Sequence, residues 1–459
     1  MRLRSELLFL FLFLPFQLAG SDNLNLGGSI RSNLYVGLVY GDIYNYFNSN
    51  VITLKGETKP EENIQGKFEI RIRNENISNV KYLNDLKYRE YIEPVSMQLY
   101  EGYIQFSSLF IKEMDLRVGK QRIAWGTADG FNPTDNFSPM DLEDPLDFKN
   151  KLSIWAITTD LYFSPFNISL VLQPVFEPAL LPNFNLISGE SNQMMGQYSD
   201  KLQEPVVVLP EFRAKNLIFG SRLGYKGEIF DLSFSYYHGY TGIPVVREVK
   251  IETGGFALKS LTPILSYVSN DIIGMDMAMN LFDIGIFGEL AYVMPEGIEP
   301  IYYINSSKIN NEDKRIFGIP ENDISVEDST FLKFAGGFDY TFEGGYYINV
   351  QYVRGFFNEL SKSRLNNYIF AYMNKDFFDS KLQIQPSFGM EFDSDNDKLF
   401  GLDDTDNEKA YLFSLEVNYI PFNTGVITLG GAMVRGDDGS NLKMFERLDQ
   451  IYLKFRLDF

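Results

Sequence analysis

Apolar and polar residues alternate with a period of two along much of this chain, and the alternation is cleanest at its end. Between Leu448 and Phe459, the residues Ile451, Leu453, Phe455, Leu457 and Phe459 share one strand face, while Gln450, Tyr452, Lys454, Arg456 and Asp458 share the other. Two is the strand period. An unbroken apolar face opposite charges and amides fits a wall with lipid outside and water inside. The pattern recurs upstream. Tyr411, Phe413, Leu415, Val417 and Tyr419 oppose Leu412, Ser414, Glu416 and Asn418. Leu382, Ile384, Pro386, Phe388, Met390 and Phe392 oppose Gln383, Gln385, Ser387, Gly389 and Glu391. Phe68, Ile70 and Ile72 oppose Glu69, Arg71 and Arg73. Half-buried strands of soluble sheets also alternate, but about a dozen of them in series, with short and long connections in turn, point to a membrane barrel.

Short turns separate the strands of each pair: Lys112–Asp115, Ser164–Asn167, Lys226–Glu228, Phe282-Asp283, Glu343–Gly345, Asp379–Lys381 and Pro421–Gly425. Gly, Pro, Asn and Asp supply their geometry. The reading is all-β: one transmembrane antiparallel barrel of about 18 strands, with short periplasmic turns and long outer loops. The expected strands are 28–40, 49–56, 64–74, 96–111, 114–124, 152–163, 166–176, 216–226, 229–240, 264–282, 284–295, 329–343, 345–356, 367–379, 380–393, 409–421, 423–435 and 444–459. An even number places both ends of the barrel in the periplasm, and with 18 strands every short turn falls on the periplasmic side and every long segment outside, which favours 18 over 16.

The first residues bring in targeting. Arg2 and Arg4 precede an apolar run from Leu7 to Phe16 and the small-residue site Leu18-Ala19-Gly20. This reads as a secretory signal peptide over 1–20, leaving the barrel over 21–459. No window offers a run long and apolar enough for a membrane helix. The chain has no cysteine, hence no disulfide and no thiol ligand. Aromatics make up 15% of residues, almost all Tyr and Phe, which suits interfacial girdles. A net charge of −20 argues against nucleic acid as a partner. Much of the acid sits in expected outer loops, above all Asp393–Glu408. Asp393, Asp395 and Asp397 have the spacing of a calcium loop, but Lys398 stands where its turn glycine belongs, so no metal site is expected.

The most distinctive segment runs from Leu116 to Leu152. A basic strand with Arg117, Lys120 and Arg122 ends in Ala124-Trp125-Gly126. A loop of about 27 residues follows, rich in Pro, Asn, Asp and Gly, and loops of this length are usually functional or disordered. Its candidate constriction residues are Trp125, Asp129, Asn132, Asp135, Asp141 and Glu143. The succession Gly119-Lys120-Gln121, Trp125-Gly126 and Asn132-Pro133-Thr134-Asp135 resembles porin-like outer-membrane barrels of an uncharacterised bacterial family, known only as a domain of unknown function. Further matches are Phe234–Gly239 and Ile273–Asp276. The resemblance spans most of the mature chain, with its specific motif within residues 117–141. It implies a barrel with a loop folded near the pore. It also implies, for some relatives, transport of hydrophobic compounds, and it implies no catalytic residue.

Charge leads to a similar place. With the polar phase of each strand assigned to the lumen, Arg31, Arg71, Arg73, Arg117, Lys454 and Arg456 form a basic sector, because the last strand pairs with the first. Asp231, Glu289, Asp339 and Glu391 form an acidic sector across from it. The acidic loop 125–151 either folds inward over the basic sector or caps the outside. The lone His238 shares the lipid-facing phase of Phe234 and Tyr236 and has no nucleophile motif beside it, so it reads as an interfacial aromatic rather than a catalyst. No plug domain, P-loop, dinucleotide or zinc signature is present. The expected function is a bacterial outer-membrane porin or channel for small solutes, with no cofactor and no enzymatic activity. A transporter of hydrophobic compounds through a lateral route, or an adhesin or structural barrel, remains the alternative. Expected partners are outer-membrane lipid, small solutes and the barrel assembly machinery, which would read the strand ending at Phe459. Oligomerisation is compatible with the chain, but no subunit interface is legible.

Overall fold

The computed structural model describes residues 24–39, 42–59, 63–74, 80, 82–144, 146–181, 201–254, 257–309, 325–392, 409–437, 440–443, 445 and 449–459. The expected signal peptide and the acidic segment 393–408 lie outside them. The strands, in chain order, are β1 (Leu24–Val39), β2 (Asp42–Thr58), β3 (Ile64–Asn74), β4 (Val95–Ser107), β5 (Met114–Gln121), β6 (Ile154–Phe163), β7 (Phe166–Gln173), β8 (Val206–Val207), β9 (Ile218–Lys226), β10 (Phe230–Tyr240), β11 (Val245–Gly254), β12 (Ala257–Ser266), β13 (Ser269–Leu281), β14 (Ile284–Pro295), β15 (Ile301–Ile304), β16 (Ser307–Lys308), β17 (Phe331–Phe342), β18 (Tyr346–Arg354), β19 (Asn367–Phe377), β20 (Leu382–Phe392), β21 (Lys409–Phe422), β22 (Gly425–Gly436) and β23 (Gln450–Asp458).

Eighteen of these form one sheet, and the remaining five, β8, β11, β12, β15 and β16, form a second. The large sheet closes on itself. β23 pairs antiparallel with β1 from Gly37↔Gln450 to Ser29↔Asp458. The backbones of Gly28 and Phe459 then exchange both of their hydrogen bonds, at 2.8 and 3.0 Å, so pairing continues to the last residue. Gly28 is required at this seam, because a Cβ there would meet the Thr53 carbonyl and the Phe459 ring. Pairing of β1 with β23 leaves no free edge at this seam, which is the condition a sheet must meet in lipid.

The outward phase is the apolar one. On β23, Ile451 (48%), Phe455 (43%) and Leu457 (42%) are exposed, while Tyr452 and Gln450 on the opposite phase are buried. Ile30 on β1, Ile52 on β2, Leu170 on β7, Phe234 on β10, Phe338 on β17 and Phe413 on β21 continue this exposed apolar belt around the barrel. No helix among the described residues is long and apolar enough to cross a membrane. The strands carry that task.

Short turns gather at one end of the barrel and long connections at the other, with one exception. β2 begins at Asp42, so the expected loop over 41–48 is strand from Asp42 onward, and only residues 40–41 separate β1 from β2. The expected strand 264–282 is two strands. Only β13 belongs to the barrel; β12 ends at Ser266 and pairs with β11 in the small sheet. Segments read as loops between β7 and β9, β10 and β13, and β14 and β17 supply that sheet. Its β11 alternates Val249 and Ile251 with Glu248, Lys250 and Glu252, which is a strand pattern carrying too much charge for lipid.

Replacing Phe455 by Glu places an acid in the outward belt, at a cost on the order of 1–3 kcal/mol. The expected outcome is a reduced folded fraction in outer-membrane extracts, scored by heat-modifiable migration. Wild-type levels would contradict the outward assignment of this phase.

Candidate functional site

The chain leaves the wall at Gln121, where β5 stops, and returns at Ile154. Between them, residues 122–153 touch inward-facing side chains on widely separated strands. Tyr35 of β1 donates to Asp144 at 2.8 Å, and Arg73 of β3 is ion-paired with Glu143. Lys454 of β23 lies 3.4 Å from Asp144. On the far wall, Gln351 of β18 donates to the Phe131 carbonyl at 2.9 Å, and Tyr372 of β19 donates to Asp129 at 2.6 Å. A segment that meets all of these crosses the interior of the ring.

An apolar interior holds it there. Ile123, Trp125 and Phe137 cluster with Ala156 of β6, Val171 of β7, Ile218 of β9, Ile272 of β13 and Val293 of β14. Trp125 sits edge-on to Phe137 at 4.9 Å, and Phe137 in turn to Tyr237 at 4.9 Å. Further along, Phe131 and Phe148 meet Phe356 at 4.7 and 5.5 Å. Half of the inner wall is thus apolar and covered. Burying several aromatic side chains stabilises the loop by roughly 2 kcal/mol each.

Glu289 fixes the register of the loop. Its carboxylate, 2% exposed on β14, accepts hydrogen bonds from the amides of Thr127 (2.5 Å), Ala128 (2.7 Å) and Thr134 (3.3 Å) and from the Thr134 hydroxyl (2.8 Å). The Trp125-Gly126 step needs its glycine for the same reason. Gly126 has φ +91°, and a Cβ there would meet the Glu289 carboxylate. Asp135 is buried against Lys151 at 2.7 Å and also accepts from the Trp125 amide. Asp129 is paired with Lys149 at 2.9 Å. The Asn132 carbonyl accepts the Asp135 amide at 3.1 Å, closing a turn.

The expected acidic sector is therefore corrected. Glu289 and Glu391 are wall residues of the inward phase, but loops consume their charge. Glu391 is fully buried and accepts from the Asn441 and Leu442 amides, at 2.8 and 2.6 Å, and from the Asn366 side chain. Asp231 is exposed near the short-turn end, and Asp339 is half-buried beside Gly285. These four do not make one acidic face.

The basic residues do converge. Arg31, Arg71, Arg73, Lys454 and Arg456 line one cavity of about 660 Å³, joined by Lys55, Lys67 and Arg122. Arg31 and Arg456 are direct cross-strand partners. Arg117 stands apart, held by the Gln105 side chain at 3.1 Å and by the Tyr103 ring at 4.9 Å. The carboxylates facing this wall come from the loop: Asp141, Glu143, Asp144 and Asp147. Burial pushes the Asp141 and Asp147 carboxyls above the ordinary aspartate range, with the Arg73 and Arg71 guanidinium groups opposing this at Asp141. Wall acids are interspersed, as Glu69 beside Arg71 (2.7 Å) and Glu101 beside Lys67 (2.8 Å).

His238 lies on the outward phase of β10. Its Nδ1 is 2.9 Å from Asp271, which also accepts the Tyr236 hydroxyl at 2.6 Å. Among the described residues no group of three or more His, Cys, Asp or Glu could hold a metal ion.

Replacing Glu289 by Gln turns an acceptor-only group into one that aims N–H donors at backbone N–H groups. A destabilisation on the order of 1–3 kcal/mol is expected, with faster hydrogen exchange at Thr127, Ala128 and Thr134. Unchanged protection there would remove Glu289 from its latching role.

No family model and no curated protein matches the chain, so membership of the uncharacterised family gains no support from sequence comparison. Solved structures do match. Pseudomonas aeruginosa OccK9 (OpdG) is 8% identical, with 95% of this chain and 98% of that one covered and a TM-score of 0.52. Acinetobacter baumannii OccAB4 is 7% identical, with 95% and 97% covered and a TM-score of 0.51. A BenF-like porin from Pseudomonas fluorescens Pf-5 is 7% identical, with 95% and 98% covered and a TM-score of 0.50. This chain has their fold, the closed 18-stranded antiparallel barrel of outer-membrane porins.

Proposed function

We propose that this protein is an outer-membrane channel through which small solutes diffuse along a charged half-lumen. The observation that carries the reading is the cavity of about 660 Å³ between the basic wall of β1, β3 and β23 and the acidic face of the inserted loop. The loop closes the apolar half of the interior and leaves the polar half open. A passing solute then meets cations on one side and carboxylates on the other. This transverse field orients dipolar solutes and disfavours apolar ones, which displace water from the charged lining and gain no interaction in return.

The lining favours anions weakly, since basic side chains outnumber carboxylates there by eight to six. The Arg31 Nε is buried with no hydrogen-bond partner among the described residues, and Arg456 and Arg71 are its neighbours in charge. Such a donor is available to a solute carboxylate or phosphate. The outer membrane is the compartment, with the short turns toward the periplasm and the acidic loops outside. The barrel requires no cofactor for this function and performs no covalent chemistry.

Replacing Arg71, Arg73 and Arg117 together by Ser is expected to shift the reversal potential in a salt gradient toward cations. Because Arg117 stands outside the cavity, Arg71 and Arg73 should carry most of the shift. Unchanged selectivity would remove the basic wall from the mechanism. A second expectation concerns pH. A carboxyl raised above its ordinary value loses its charge at higher pH than an ordinary aspartate, near about 4. Anion preference should therefore grow as pH falls, starting above that value, and Asp141→Asn with Asp147→Asn should flatten this growth. A wild-type pH profile in the double variant would contradict the assignment.

A further inference from the structure

The barrel wall is incomplete between β4 and β6. β4 pairs with β5 only over Gly102–Ser107, whereas its other edge pairs with β3 up to Val95. From Val95 to Glu101, the edge of β4 toward β5 has no strand partner among the described residues. β5 ends at Gln121 opposite Ile154 of β6, and the chain then turns inward to bury Ile123 and Trp125. The piece of wall that β5 would have supplied is missing.

The space left there is a cavity of about 350 Å³, lined by residues of both strand phases. Leu99, Lys120 and Trp155 come from the outward phase. Tyr100 comes from a bulge in β4 that leaves it unpaired and turned inward, with the Arg71 guanidinium 3.2 Å from its ring centre and its hydroxyl donating to the Lys151 carbonyl at 2.8 Å. A cavity that touches both phases lies within the thickness of the wall, where β5 is missing. Tyr100 also lines the basic cavity of the lumen, so its ring is shared between the two spaces.

The chemistry of the opening is amphiphilic. Leu99, Leu152, Trp155 and Leu180 make it apolar. Lys120 and Glu177 mark its polar rim, 3.8 Å apart. Ser153 is 1% exposed, lines the cavity, and its Oγ has no hydrogen-bond partner among the described residues. A buried hydroxyl without a partner is costly unless something polar meets it. An open sheet edge at the level of the outward Met97 and Leu99 is costly in lipid unless something fills the gap.

We propose that this opening is a lateral portal that binds a single-chain amphiphilic carboxylate. Its hydrocarbon lies along Leu99, Leu152 and Trp155 toward the bilayer, and its head is passed inward beyond Tyr100 to the basic wall at Arg71. The portal adds a membrane-side branch to the aqueous path; it takes its basic compartment from the channel reading, but its own wall gap and lining do not depend on conduction.

The chain has two tryptophans, one of them in the portal, which supplies the probe. The full mature protein in phosphatidylcholine nanodiscs would be titrated with 12-bromododecanoate, whose bromine quenches a neighbouring indole. The expected result is saturable quenching that disappears in Trp155→Phe, is weakened at least several-fold in Leu180→Glu, a substitution on the exposed rim, and is lost in Ser153→Phe, which fills the cavity. Competition by unlabelled dodecanoate should restore the fluorescence. Quenching that rises linearly and equally in the wild type and in folded Leu180→Glu reflects bilayer partition and overturns the portal. So does quenching by brominated phospholipid alone, with no saturable response to the carboxylate. Planar-bilayer conductance of Ser153→Phe separates the two readings. In Ser153→Phe, retained conductance with lost quenching supports the portal as a branch distinct from the pore, and intact saturable quenching refutes the portal; a silent wild-type channel that still shows saturable quenching refutes the pore and leaves the portal standing.

Discussion

Everything in this structure follows from the requirement that a sheet facing lipid satisfy its own backbone. β1 and β23 meet this requirement by pairing from Gly37↔Gln450 to the last residue of the chain. Once the ring is closed, the outward phase must be apolar, and the inward phase is free to be anything water or a loop will cover. The belt of Ile30, Ile52, Phe234, Phe413 and Phe455 answers the first condition. The second is where the protein becomes specific. One part of the inner wall is apolar and serves as a seat for residues 122–153; another part, rich in basic side chains, borders a cavity of about 660 Å³.

A loop inside a barrel needs more than apolar contact, because a greasy surface does not fix register. Here a single carboxylate does so. Glu289 gathers three backbone amides and a hydroxyl within one turn of the loop, and the glycine of Trp125-Gly126 makes room for it. A charged acceptor with several donors is strong in a site this dry. The same device recurs at Glu391, where a buried wall acid holds the amides of Asn441 and Leu442. Both of these buried wall carboxylates anchor loops. The acids that face the basic wall are instead carried in by the loop, as Asp141, Glu143, Asp144 and Asp147.

The barrel was largely legible in the sequence, because membrane strands must alternate and tight turns must use turn residues. Tyr411–Tyr419 and Leu382–Phe392 needed no tertiary information, and the seven short turns fixed the pairing. The basic sector was legible for the same reason, since closure alone brings Arg31 beside Arg456. What was not legible depends on contacts between distant residues. Glu289 and Glu391 alternate like any lumen residue, and nothing local says that a loop will cover them. β2 was read too short because Asp42–Asn48 mixes apolar or aromatic residues with Asp or Asn in both phases, so neither face alternates cleanly. The small sheet was missed because β11 and β12 look like charged loop once a lipid-facing pattern is the criterion. At the outer ends of β13 and β14, Ile272-Ile273 and Tyr292-Val293-Met294 are apolar in both phases, which marks a wall covered on its inner side as well.

The central claim is that the uncovered basic half-lumen is a continuous water-filled path. Single-channel recording of the refolded mature protein in a planar bilayer, with a salt gradient across it, tests this most directly. Such a path gives stable open steps with ohmic current and a reversal potential displaced modestly to the anion side. Silence from a barrel shown to be folded would contradict it, as would current with strong cation preference.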